Sequence, residues 1–211
     1  MNETCSELRF EDIFSFTLTV FTSLIGLVVT VPVTVALLKL KAFKNAQYSL
    51  LCASLMCADS AVLAVFLGCT SFARFNRNEP NGVLLDRIIG MVTLILWLAS
   101  LYAMLAISAN RLIAIGRMQN CEQVWFSKRL AVRVVAVSWM VSAVQGVGYF
   151  LSGCYFLFDS CRHIWHFDMS RCGPLVPYFD FAHGIAFILL IFLLNLFTVI
   201  KLKMHNKVGN D

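Results

Sequence analysis

Between Arg87 and Arg111 run twenty-three residues, Ile88 to Asn110, without one charge. As a helix rising about 1.5 Å per residue they reach about 35 Å, more than the roughly 30 Å hydrocarbon core of a bilayer. Lipid offers backbone N–H and C=O groups no partner, so a segment this apolar crosses as a helix. Four more stretches repeat the pattern: Ile13 to Leu38, Tyr48 to Thr70 with a single charge, Val134 to Phe158, and one opening near Tyr178 that is uncharged from Phe181 to Ile200. The expected fold is an all-α polytopic transmembrane bundle with spans at about 13–38, 48–70, 88–112, 134–158 and 178–202. Composition agrees: 59% of residues are hydrophobic and 14% charged, where a soluble domain carries about a quarter charged. The implied partner is the lipid bilayer. A net charge of +5 would point to nucleic acid in a soluble chain, but here the basic residues sit in short segments between apolar runs and set membrane orientation instead. No nucleic-acid partner and no cofactor are expected.

Counting Lys and Arg on alternate sides fixes that orientation. Eleven fall with the segments around Lys39–Lys44, Arg111–Arg133 and Lys201–Lys207, and six with Arg9, Arg74–Arg87 and Arg162–Arg171. The richer side is cytoplasmic, which places the N-terminus outside and the C-terminus in the cytoplasm of a multi-pass membrane protein. No basic stretch precedes the first apolar run, and that run is too long for a cleavable signal peptide. Asn2-Glu3-Thr4 is a glycosylation sequon on the outer side. Cys5, Cys69, Cys154, Cys161 and Cys172 also lie at or beyond the outer face, where disulfides persist. A bridge joining Cys172 to Cys154 or Cys161 is expected, and spacing leaves the choice open. Cys161, His163, His166 and Cys172 are zinc-ligating types, but their spacing matches no zinc signature and outer cysteines pair, so no metal is expected.

Two charged groups sit where charges are costly. Arg111 arrives at the far membrane face, and Asp59 lies near the middle of the second span; such groups face the bundle and mark function by default. Asp59 is expected to hold a cation or a proton, or to be a protonated acid hydrogen-bonded to a neighbouring helix. Thr93, Trp97, Ser100, Met104 and Arg111 recur at helical spacing and share one face. Hydroxyls gain nothing from lipid, so this face is expected to look into the protein. Packing alone would also account for Trp97 and Met104.

The motifs along these spans resemble those of rhodopsin-like G-protein-coupled receptors. Leu55-Met56-Cys57-Ala58-Asp59 is similar to the L-x-x-A-D of their second helix, Ser108-Ala109-Asn110-Arg111-Leu112-Ile113-Ala114-Ile115 to their S-x-D-R-Y-x-A-I, and Trp139 to the tryptophan of their fourth helix. Closer still, Gly153-Cys154-Tyr155, Trp165-His166-Phe167, Cys172, Tyr178-Phe179-Asp180-Phe181, Asn195, Thr198 and Lys201-Leu202-Lys203 resemble the nematode serpentine receptor class x chemoreceptors. The resemblance implies a chemosensory receptor that is not an enzyme. Its Asn110 and Arg111 would face a heterotrimeric G protein, and Thr93, Trp97, Asp180 and His183 would face a small-molecule ligand.

The departures are specific. Asn110 replaces the acid beside the arginine, Gly26-Leu27 replaces the first helix's Gly-Asn pair, no cysteine stands at the top of the third span, and Thr93 occupies the place of the aspartate that binds cationic amines. The family has seven helices, whereas this chain reaches Asp211 just after its fifth. A truncated receptor or a fragment is expected, inserting in the membrane but unable to activate a G protein without helix six. The competing class is a five-span transporter or channel subunit, against which the chain shows no internal repeat and no broken helix pair. An intramembrane enzyme lacks a catalytic pair.

Overall fold

A computed structural model describes residues 10–39, 47–72, 82–117, 128–159, 164–168, 172–173 and 175–208. Five helices carry the fold: α1 (Phe10–Lys39), α2 (Gln47–Phe72), α3 (Gly82–Arg117), α4 (Lys128–Leu151) and α5 (Leu175–Val208), with a hairpin of β1 (Phe156–Asp159) and β2 (Ile164–Phe167) between the last two. Each helix contains a stretch long and apolar enough to cross a membrane. The five expected spans are all present, and the hairpin is the departure from an all-α chain.

The fourth span ends earlier than the expected residue 158. The helix stops at Leu151 because Gly153, at φ 78°, takes a left-handed conformation that costs glycine little. The Gly153 amide then donates to the Phe150 carbonyl at 3.1 Å and the Cys154 amide to the Tyr149 carbonyl at 3.0 Å. This is the Schellman pattern of hydrogen bonds that closes a helix C-terminus. Phe156-Leu157-Phe158-Asp159 leaves the helix axis and pairs antiparallel with Ile164–Phe167, Phe156 opposite Phe167 and Asp159 opposite Ile164. At the other junction α5 begins at Leu175, ahead of the expected 178, and accommodates Pro177 in its first turn, where a missing amide costs nothing. Pro32 lies inside α1, which runs as one helix from Phe10 to Lys39.

α3 is the axis of the bundle. It touches α2, α4, α5 and β1, and half of its apolar window is buried, while none of the α5 window is. Close approaches depend on glycine: a Cβ at Gly146 of α4 would run into Ile95 of α3, and one at Gly26 of α1 would meet Leu63 of α2 at 2.6 Å. Gly90 is tighter still, because the Phe156 carbonyl oxygen of β1 occupies the space a side chain would need. The hairpin thus seats directly on the α3 backbone.

An aromatic cluster fixes the hairpin from above. Trp165 stacks on Phe156 at 5.3 Å and on Phe66 of α2 at 5.8 Å, while Phe167 is buried with Leu94, Leu98 and Cys154 against Tyr149. Such ring pairs add about 0.5–1.5 kcal/mol each beyond the area they bury. Cys154 and Cys172 are bridged, tying the end of α4 to the segment that enters α5.

Candidate functional site

Polar contacts between the apolar helices gather at three levels along α3. In a bilayer such hydrogen bonds join helices that the hydrophobic effect cannot, at about 0.6 kcal/mol on average and up to about 1.7. At the end remote from the hairpin, Arg111 donates from Nε to the Tyr48 hydroxyl at 3.1 Å and a second time from Nη2, with its guanidinium 5.5 Å from the centre of the Tyr48 ring. Tyr48 lies in the first turn of α2, and the exposed Arg111 in the last turns of α3. Asn110 is half-buried beside it.

Midway along, the Ser100 hydroxyl donates to Asp59 Oδ1 at 2.6 Å and so joins α3 to α2. Near this contact the Ser60 hydroxyl donates to Thr30 Oγ1 at 2.9 Å and the Trp139 indole to Ser54 Oγ at 2.9 Å, and further along α3, three residues before Arg111, the Asn195 amide donates to Ser108 Oγ at 3.2 Å. Together these bonds link all five helices. Among the described residues no group of three or more His, Cys, Asp and Glu side chains could hold a metal ion.

Towards the hairpin, five side chains of α3, α4 and α5 form a ring. The Tyr102 hydroxyl donates to Gln145 Oε1 at 2.8 Å, the Gln145 side chain also reaches the Tyr149 hydroxyl, and Tyr149 donates to Asp180 Oδ1 at 3.5 Å. His183 closes the ring, within electrostatic reach of Asp180 and 3.5 Å from the Tyr102 hydroxyl. Nearer the hairpin, Arg87 lays its guanidinium over the Tyr155 ring at 4.2 Å.

The four ligand-facing candidates divide into two places. Asp180 and His183 meet in the ring around Tyr102, while Thr93 lies on the opposite side of α3, about 180° away at 3.6 residues per turn. Thr93 is buried and donates to the Ile89 carbonyl of its own helix at 2.8 Å. The expected inward stripe is also uneven. Ser100 is buried against α2, yet Trp97 is 52% and Met104 38% exposed. Their directions, about 40–60° round from Ser100, fall between Ser100, which faces α2, and Ser108, which faces Asn195 of α5. They point into the slot between those two helices rather than into a closed core.

Several site residues escaped the sequence reading. Tyr48 belonged to no motif, and its only signal is a phenol at the membrane edge of α2. Tyr102 sits off the stripe of polar residues through Arg111, so helical spacing from the arginine skips it, and Tyr149 lies on another helix, α4. Cys172 pairs with Cys154, one of the two partners left open, and so is unavailable to the four-residue zinc set. Asn2 and Cys161 lie outside the described residues.

The model of the family described as serpentine type 7TM GPCR chemoreceptor Srx matches residues 20–211. The chain belongs to the Srx family. No curated protein matches this Srx chain. Among solved structures, squid rhodopsin superposes with a TM-score of 0.74 at 20% identity over 96% of this chain, which shows a shared fold. The Srx chain spans 56% of the squid rhodopsin chain. Within the Srx fold, Arg111 at the end of α3 turns to a tyrosine on α2 rather than to the residue beside it, and the hairpin is tied to the α4 terminus rather than to α3.

Proposed function

We propose that this chain is the ligand-sensing and G-protein-facing portion of a chemosensory receptor, with the hairpin end outside the cell and Arg111 at the cytoplasmic face. The observation that carries the reading is that one helix, α3, bears both ends of the device. Near the hairpin it holds Tyr102 in the polar ring, and at its other end it presents Arg111, whose guanidinium donates to the Tyr48 hydroxyl of α2. A small molecule that alters the packing of α3 near the hairpin can change how Arg111 is held.

A ligand moves such an equilibrium only through its different affinity for two arrangements. The Tyr48 clamp supplies one arrangement and its release the other. Thr93 in place of an acid argues against a cationic amine held by α3. The test is a ligand panel read by second messenger in cells expressing a seven-span receptor that carries these residues. A specific response is expected and Arg111→Ala should abolish it; a response that survives Arg111→Ala would remove the coupling role.

A further inference from the structure

Arg87 and Arg111 bracket the uncharged run of α3, about 36 Å apart along the helix axis, so each stands where hydrocarbon gives way to lipid head groups. Their surroundings differ. Arg111 donates to the Tyr48 hydroxyl, whereas Arg87 lies over the Tyr155 ring, 4.2 Å from its centre, with its Nε buried and without a hydrogen-bond partner. Among the described residues no other buried side-chain nitrogen or oxygen is left in that state, and no acceptor or carboxylate pairs with the Arg87 guanidinium. The adjacent Asp86 is exposed, about 100° round the helix, and lies within electrostatic reach of Cys69 on α2.

The cation is nevertheless held in place. Tyr155 meets Phe150 edge-on at 5.6 Å, its carbonyl accepts from the Asp168 amide at 2.8 Å, and the residue before it, Cys154, is bridged to Cys172. One turn further along α3, β1 seats on Gly90. A ring face attracts the guanidinium charge without using up its N–H donors. With Nε shielded in a half-buried side chain, the terminal amino groups are the ones that open outward. A fixed, partly desolvated guanidinium with an unused fork of donors fits two oxygens of one anion, and the anions at head-group depth are lipid phosphates. We propose that Arg87, backed by Tyr155, binds the phosphate of a phospholipid in the leaflet at the hairpin end of the bundle. This goes beyond the receptor reading and does not rest on it, since occupancy is measured without signalling.

The test uses the purified chain in dodecyl maltoside, photolabelled with dodecyl phosphate carrying a diazirine beside the phosphate and mapped by mass spectrometry. Label is expected in peptides covering residues 84–91 and 150–158, displaced by plain dodecyl phosphate and not by dodecanol. Arg87→Gln should lower it by about tenfold, the loss of one charged hydrogen bond. Arg87→Lys keeps a cation over the ring, so its thermal midpoint without the probe should match wild type while its labelling still falls, because the fork is gone. Lys201→Gln, at the opposite membrane face, should leave the labelling of these peptides unchanged. Labelling that is insensitive to both Arg87 substitutions, or displaced as well by dodecanol, overturns the site. Displacement by inorganic phosphate at the same concentration as by dodecyl phosphate would assign the site to free phosphate and overturn the lipid source.

Discussion

Tyr48 gives the Arg111 guanidinium an oxygen to donate to in a chain whose position 110 is an asparagine, so the restraint on this arginine comes from another helix. A hydrogen bond to a charged group contributes about 1.5–3 kcal/mol when shielded, and less here because Arg111 is exposed. Tyr48→Phe removes the acceptor and keeps the ring. In a seven-span receptor carrying these residues it should raise ligand-free second-messenger output a few-fold, and an unchanged baseline would show that Tyr48 restrains nothing. Asp59 differs in that its partner is internal. The Ser100 hydroxyl and the carboxylate form an oxygen pair of the kind hard cations prefer, while Asp59→Asn keeps an acceptor for Ser100 and removes the charge. The expected outcome is a thermal midpoint little changed without sodium, together with loss of any midpoint rise on adding sodium chloride in place of choline chloride. A wild-type chain that shows no sodium-specific rise has in Asp59 a hydrogen-bonded acid and no ion site.

The elements are held by contacts whose tolerance can be ranked from what a methyl group would meet. At Gly90 the obstacle is the backbone oxygen of Phe156, which cannot move without lifting the hairpin; at Gly146 it is the Ile95 side chain, which can rotate; at Gly148 there is nothing. Overpacking costs about 1–3 kcal/mol, against a gain of up to about 1 kcal/mol when alanine replaces glycine within a helix. Alanine substitutions should therefore order as Gly90 most destabilising, Gly146 intermediate, and Gly148 neutral or slightly stabilising. Thermal melts in detergent read that order directly, and a Gly90→Ala midpoint equal to wild type would mean that the hairpin does not seat on α3 as described. The same elements show where sequence pattern loses resolution. Val134 to Phe158 is one uninterrupted uncharged run, and an apolar run cannot itself say where helix yields to strand. Gly153 decided it, through a left-handed cap that only backbone geometry reveals.

On the scale of the whole molecule, the eleven-to-six division of Lys and Arg predicts that the hairpin and the N-terminus face outward and α5 ends in the cytoplasm. Epitope tags at each end, probed in intact and then permeabilised cells, check this: the N-terminal tag should react at once and the C-terminal tag only after permeabilisation. Exposure of the C-terminal tag in intact cells would invert every surface assigned above. The number of spans was legible in the sequence, because a bilayer converts length and lack of charge into a crossing helix almost without reference to tertiary contacts, and the family was legible in the motifs those spans carry. The importance of Asp59 and Arg111 was legible for the same reason, since a charge in an apolar run stands out wherever the helix turns. What each charge touches was not. The stripe through Thr93, Trp97, Ser100 and Met104 looks continuous in the sequence, yet the structure buries Thr93 and Ser100 and leaves Trp97 and Met104 in an open slot. Asp180 and His183 likewise face Tyr149 and Tyr102 on the side of α3 opposite Thr93. Helical periodicity fixes angles within one helix, but the rotation of each helix about its own axis is set by its neighbours, through contacts such as Gly90 with Phe156 and Gly146 with Ile95. Only the packed bundle could therefore decide which residues share a site.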